Sequence, residues 1–258
     1  MKVVILAGGL GTRLMEETED RPKPMVEIGG KPILWHIMKI YQKYGFNEFI
    51  ICLGYKGNII REYFLKYYLN NSDITISLED NSVEVHQSCS EAFKVTLVDT
   101  GLSTNTAGRI KRIEKYVKDD TFMLTYGDGV ADINLLELLD FHKSHGKIAT
   151  LTSVQVPGRF GNISTDLNGN VKKFEEKPKG DGMWINGGFF VLEPRVFDYL
   201  RNNMDDVQWE KEPLQSIAID EELYAFRHFG FWKCMDALRD RIVLEELWNT
   251  NKAKWKVW

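Results

Sequence analysis

The feature that most limits what this chain can become is its opening. A continuous apolar run at residues 2–7 (KVVILA) stops at Gly8-Gly9-Leu10-Gly11-Thr12-Arg13. An unbroken run without polar alternation suits a strand covered on both faces, as in a parallel sheet packed between helices. The glycines that follow leave backbone N–H groups free to turn toward an anion with no Cβ in the way. Arg13 adds a fork of donors that suits phosphate oxygens. A plain tight turn with a surface arginine is the competing reading. Two familiar phosphate motifs fail on spacing. A dinucleotide fingerprint starting at Gly9 needs Gly or Ala where Leu14 stands, and neither Gly30-Lys31-Pro32 nor Gly146-Lys147-Ile148 completes a P-loop.

The rest of the chain repeats the strand–loop–helix rhythm. The spacing of apolar residues predicts a helix over 31–44, a strand over 48–53 and an aromatic-rich helix over 57–69. Strands over 74–78 and 95–98 and a helix over 106–117 follow, then a strand over 121–126 that ends at Gly127-Asp128-Gly129, and a helix over 134–145. In the second half, 148–156, 162–166 and 171–175 alternate like antiparallel strands, with a turn at Asn168-Gly169. A strand over 186–192, a helix near 194–201 and a helix over 238–249 complete the pattern. Alternating β and α elements imply a Rossmann-like α/β fold, a mostly parallel sheet flanked by helices, here with added antiparallel strands. The 258 residues fit one domain, divided into halves at about residue 130.

Composition excludes several classes. The formal net charge of −4 argues against a basic nucleic-acid-binding surface. No apolar run is long enough to span a membrane, and the opening run breaks too early for a signal peptide. Cys52, Cys89 and Cys234 are far apart and form no CxxC pair, as expected of a reduced, cytoplasmic chain.

A second cation is held unusually. In Arg21-Pro22-Lys23-Pro24-Met25 two prolines stiffen the backbone around Lys23, which would present its ammonium as a fixed point charge. A loop lysine between incidental prolines is the plainer alternative.

Together, LAGGLGTRL and KPMVEIGGKPIL resemble the sugar-phosphate nucleotidylyltransferases, and TYGDGVADI, FEEKPKG, NGGFFVLEP and GFWKCMDALRD extend the resemblance over essentially the whole chain. WHIMKIYQKYG, LVDTG and TYGDGVADI are most similar to the cytidylyl-transferring branch, which uses CTP and glucose 1-phosphate. UTP or dTTP in place of CTP, or a glycosyltransferase on a similar sheet, are the alternatives, the last disfavoured by the lack of an Asp-x-Asp motif. The resemblance implies a nucleotide site in the first half, at Leu6, Ala7, Gly8, Gly9, Gly11, Thr12, Arg13, Lys23, Thr104, Arg109 and Gly127. It implies a sugar-phosphate site from Tyr126, Glu175, Lys177, Asn186, Gly187 and Trp232, largely in the second half. Mg²⁺ is the implied cofactor, on Asp128 and Asp236, and the implied catalytic set is Arg13, Lys23, Asp128 and Asp236. Asp128 could instead shape a turn, and Asp236 could cap the helix at 238. Asp132 is a further candidate ligand or a cap for the helix at 134. Arg109, opening a helix, could reach the cytosine edge or the phosphates, or be a solvated charge. Trp232 could stack on the sugar or pack the core. His142 and His145 have metal-pair spacing but read as a polar helix face, and the aromatic run Tyr63, Phe64, Tyr67, Tyr68 as packing. Trp248, Trp255 and Trp258 make an apolar tail suited to a subunit interface. The resemblance carries an expectation of a homo-oligomer of six subunits.

Overall fold

Strand Lys2–Leu6 is covered on both faces, as its apolar run requires: Val3 and Ile5 enter one core, Val4 and Leu6 the other. The computed structural model describes residues 1–156, 161–175 and 183–258. In chain order, the elements that position the site are β1 (Lys2–Leu6), α1 (Ile33–Lys43), β2 (Glu48–Leu53), α2 (Gly57–Asn70), β3 (Lys94–Asp99), α3 (Thr106–Arg112), β4 (Phe122–Tyr126), β5 (Gly129–Ala131), α4 (Leu135–His145), β6 (Ala149–Val154), β7 (Asn162–Thr165), β8 (Val171–Glu175), β9 (Ile185–Asn186), β10 (Phe190–Leu192), α5 (Glu212–Ile219), β11 (Leu223–His228), β12 (Trp232–Cys234) and α6 (Leu238–Asn249).

β1 lies between β2 and β4 and runs parallel to both, with Leu6 opposite Cys52 and Tyr126. β3 extends the sheet beyond β2, also in parallel. The order β3–β2–β1–β4 places the reversal of winding between β1 and β4, and ligands of open α/β sheets bind in the crevice beyond the carboxyl ends of such strands. β10 joins β4 antiparallel, β6 joins β10 antiparallel, and β11 joins β6 in parallel. A small ladder apart from the main sheet pairs β5 with β12, Gly129 opposite Cys234. The chain thus forms the mixed, mostly parallel α/β fold expected.

Several local expectations are corrected. The 148–156 segment does not pair with 162–166. β6 pairs instead with β9, β10 and β11, while β7 and β8 form a sheet of their own around the Asn168-Gly169 turn. The expected strand 186–192 breaks into β9 and β10, because Gly188 and Phe189 both have positive φ. The helix over 106–117 divides into α3 and a separate turn at Glu114–Val117, and 194–201 is a 3₁₀ helix, Pro194–Tyr199. His142 is not on a polar face. It is 2% exposed, with Nδ1 2.8 Å from Thr150 Oγ1 and Nε2 3.0 Å from Glu193 Oε1. Tyr63, Phe64 and Tyr67 pack on one another, while Tyr68 is exposed.

The tryptophan tail packs on its own chain. Trp255 is fully buried, and Trp248 and Trp258 lie against His36 of α1. His36 is fully buried as well, with Nε2 2.8 Å from Ile28 O and Nδ1 3.4 Å from Trp255 Nε1. The neutral ring satisfies both contacts by donating from Nε2 and accepting at Nδ1. Burial lowers its pKa to about 4. The unfolded ring takes up a proton near pH 6.5 and the folded ring does not, so this contribution to stability is complete above pH 6.5 and is lost as pH falls from there toward 4. The loss amounts to about 3 kcal/mol at most. Urea unfolding at pH 7 and pH 5 should show a steeper fall for the wild type than for His36→Gln; equal slopes would contradict the assignment.

Candidate active site

Lys23 stands in a 3₁₀ turn, Lys23–Met25, entered from the extended Pro22. Met25 N donates to Pro22 O at 2.8 Å and Val26 N to Lys23 O at 3.1 Å. The two prolines therefore do what the sequence implies and fix the base of the lysine. Its Nζ lies 2.7 Å from Asp128 Oδ2 and 2.9 Å from Asp236 Oδ1, and its side chain is 12% exposed. Burial pulls the ammonium pKa down, but the two carboxylates outweigh that and leave it above the ordinary lysine value.

Local chain chemistry does not bring the two aspartates together; the β5–β12 ladder does. Met235 N donates to Asp128 O at 2.8 Å, continuing the ladder past Gly129 and Cys234. Asp236 then emerges beside Asp128 and also pairs with the Arg13 guanidinium. Asp236 is not the helix cap: Ala237 takes that position in α6, and Asp240 accepts from the N–H groups of Asp236 and Ala237 at 3.1 and 3.0 Å. Asp132 is no cap either. Asn134 caps α4, while Asp132 Oδ1 accepts from Phe231 N at 2.7 Å and lies 3.0 Å from His228 Nε2.

A cavity of about 520 Å³ opens at the carboxyl ends of β1 and β4. Leu6, Ala7, Gly8, Gly9, Gly11, Thr12, Arg13, Lys23, Thr104, Arg109, Tyr126, Gly127, Asp128 and Asp236 all line it. Pro24, Asn105, Thr106 and Cys234 line it too; Asn105 and Thr106 belong to the segment 104–109 that the family resemblance places near the nucleotide, and Pro24 and Cys234 carried no such signal. Gly11 adopts left-handed φ of 68°, which glycine alone takes without strain. A Cβ on Gly127 would lie 2.9 Å from Leu6 O, so its glycine lets β1 and the start of the Asp128 turn touch.

Arg109 is not the solvated charge of the plainer reading. It is 3% exposed, lines the cavity and bonds the chain through both terminal nitrogens. The guanidinium donates to Leu53 O, Thr100 Oγ1 and Gly101 O at 3.0, 2.7 and 2.9 Å, and to Gly8 O at 2.9 Å. It thereby pins the glycine loop to the ends of β2 and β3. The close fit explains Gly8, whose added Cβ would lie 2.1 Å from the Arg109 guanidinium.

The residues read as sugar contacts separate. Tyr126 lines the cavity, and Asn186 Nδ2 donates to its hydroxyl at 3.1 Å. Trp232 Nε1 donates to Gly187 O at 2.7 Å, fixing the indole in a second, adjoining cleft that shares Arg13, Cys234 and Asp236 with the first. Glu175 is not brought to the cavity. It ends the separate β7–β8 hairpin, exposed and 2.7 Å from Lys173 Nζ. Lys177 lies outside the described residues. His142 and His145 both lie 2.8 Å from Thr150 Oγ1; among the described residues, no cluster of three or more His, Cys, Asp or Glu could hold a metal.

The glycine geometry yields a contrast. Gly8→Ala must displace Arg109, whereas a Cβ on Gly9 meets nothing within 4 Å. In thermal unfolding without ligand, Gly8→Ala should lose about 2 kcal/mol or more by overpacking and Gly9→Ala well under 1 kcal/mol. Equal losses would contradict the pinned-loop account.

Comparison with known proteins agrees with this geometry. Residues 2–233 match the family model described as Nucleotidyl transferase. A glucose-1-phosphate cytidylyltransferase of Salmonella typhi is 59% identical over 259 residues, spanning all of both chains. A mannose-1-phosphate guanyltransferase of Saccharomyces cerevisiae is 30% identical over 262 residues, covering 98% of this chain and 66% of that protein. The solved inositol-1-phosphate CTP transferase of T. maritima has the same fold, with a TM-score of 0.67 at 18% identity over 98% of this chain and 96% of that one. A glycine loop pinned at the sheet's switch point and a lysine shared by two carboxylates are thus found in a chain that belongs to the nucleotidyl transferase family.

Proposed function

We propose that the protein transfers CMP from CTP to glucose 1-phosphate, giving CDP-glucose and pyrophosphate. Full-length identity of 59% to the Salmonella typhi enzyme is the observation that carries the choice of base and sugar. The reaction class rests on family membership and on the Lys23–Asp128–Asp236 cluster at the mouth of β1 and β4. A phosphate oxygen of glucose 1-phosphate attacks the α-phosphorus of CTP; the new P–O bond forms as the bond to the β-phosphate oxygen breaks, and pyrophosphate leaves with that electron pair. The nucleophile is already an anion, so no strong general base is needed. Catalysis then consists of alignment and charge stabilisation.

In this reading the Gly8–Gly11 loop and Arg13 receive the β- and γ-phosphates. Lys23, fully charged at neutral pH because its pKa lies above the ordinary value, stabilises charge at the α-phosphorus. Thr104 lines the nucleotide side of the cavity, and Tyr126 and Asn186 face the sugar. Arg109 acts by holding the loop. Asp128 and Asp236 fit a divalent cation: both are partly exposed carboxylates already drawn to one shared cation, and Mg²⁺ takes one or two carboxylates with phosphate oxygens filling its other positions. Mg²⁺ bound there would supply charge neutralisation and a template for the phosphates. Among the described residues, no helix is long and apolar enough to cross a membrane, and all three cysteines are free, in keeping with a cytoplasmic enzyme of small-molecule substrates.

Lys23→Ala should lower kcat by about 100-fold or more, with KM for CTP changed far less; an unchanged kcat would remove Lys23 from this role. Asp128→Asn should abolish the response of turnover to added Mg²⁺. Retained metal-dependent turnover would take Asp128 off the ligand set.

A further inference from the structure

One carboxylate outside all of these assignments joins the two sides of the cavity. Glu210, in the turn before α5, accepts a hydrogen bond from Tyr126 Oη at 2.6 Å through Oε1. Its Oε2 accepts from Thr106 Oγ1 at 2.9 Å. Thr106 begins α3 on the nucleotide rim, and its own hydroxyl accepts from Trp209 N at 2.7 Å. The Glu210 segment is docked there by backbone as well, since Asn105 N donates to Asp205 O at 2.6 Å and Ala107 N to Val207 O at 3.1 Å.

These contacts fix every proton in the chain of groups. An ionised carboxylate only accepts, so both hydroxyls must donate to it. Tyr126 therefore spends its single proton on Glu210. Asn186 Oδ1 accepts from Gly188 N at 2.9 Å, which orients the amide so that Nδ2 donates to the Tyr126 hydroxyl. The phenol oxygen is left with one lone pair and no proton to offer.

We infer that Glu210 is a positioning residue that sets Tyr126 as an obligate hydrogen-bond acceptor toward the substrate, so that the group it recognises must be a donor, which the sugar and the ribose supply as hydroxyls. The ligand hydroxyl can belong to glucose 1-phosphate or to the ribose of the nucleotide. A phosphate or carbonyl oxygen facing Tyr126 would meet a lone pair and be repelled. This deepens the proposed transferase reading and rests on it.

Glu210→Gln makes the inference testable because it reverses one proton without changing volume. Thr106 Oγ1 donates to residue 210 and accepts from Trp209 N; it keeps both bonds when the new amide oxygen faces it, which turns the new NH₂ toward Tyr126. Both Tyr126 lone pairs are then filled, by this NH₂ and by Asn186, and the phenol has to donate into the cavity. The assay is pyrophosphate release with Mg²⁺, comparing kcat/KM for glucose 1-phosphate against its 2-, 3-, 4- and 6-deoxy analogues, and for CTP against dCTP. Wild-type turnover by itself tests the transferase reading, and its absence would overturn both. Given turnover, the wild type should prefer one hydroxyl-bearing compound over its deoxy analogue by about tenfold or more. That preference should fall to within about threefold in Glu210→Gln. The compound that shows it identifies sugar or ribose as the source. Tyr126→Phe should lose the same preference, and adding Glu210→Gln to it should have no further effect on that ratio. Undiminished discrimination in Glu210→Gln would overturn the inference and leave the transferase reading standing. So would a uniform loss across all compounds that parallels a lower melting temperature, because that is what a purely structural glutamate would give.

Discussion

The site depends on one buried ammonium shared between two carboxylates. A lysine as enclosed as Lys23 is unstable as a cation unless it is paired, and its partners Asp128 and Asp236 come from just beyond the two strands at one end of the small β5–β12 ladder. Arg13 pairs with the same Asp236, so two cations and two anions balance at the mouth of the sheet. A polyanionic nucleotide entering there competes for both cations. In the proposed reaction that exchange would turn Lys23 and Arg13 toward phosphate and leave the two carboxylates for a divalent cation.

The surrounding architecture keeps this small cluster in register. The reversal of winding between β1 and β4 opens the crevice, and Gly127 allows the two strand ends to meet above it. Arg109, threaded between Gly8 and Gly54, ties the glycine loop to the ends of the neighbouring strands. On the far rim, Glu210 joins the start of α3 to Tyr126 and, through Asn186, to the break between β9 and β10. Each of these is a buried or partly buried polar link whose partners lie far apart in sequence, so the geometry of the cavity reports the whole fold rather than any one loop.

What was legible in the sequence follows the same division. The two-sided burial of β1, the bounds of Glu48–Leu53 and Leu238–Asn249, and the proline-flanked Lys23 are local matters of apolar periodicity and backbone restriction, and they could be read directly. The resemblance to a family, rather than spacing, supplied Asp236. Partnerships could not be read. Arg109 looks like a solvated charge at a helix start, and only the convergence of five acceptors around it makes it a buried clamp. His142 looks polar until Thr150 and Glu193 are found beside it. Glu210 carries no motif. Helix Glu212–Ile219 did carry a signal, Pro213 in its first turn with Leu214 and Ile217 on one face, and its shortness hid it. The tryptophan tail is legible as apolar, but its partner, His36 of its own chain, is not.

The measurement that bears most directly on the proposed activity is pyrophosphate release from glucose 1-phosphate and Mg²⁺, with CTP, UTP, dTTP and ATP offered separately to the wild-type protein. The account predicts release with CTP well above that with the other three. Release with UTP or dTTP instead would preserve the Lys23–Asp128–Asp236 chemistry and refute the assignment of cytosine, and no release with any of the four would contradict the proposed reaction itself.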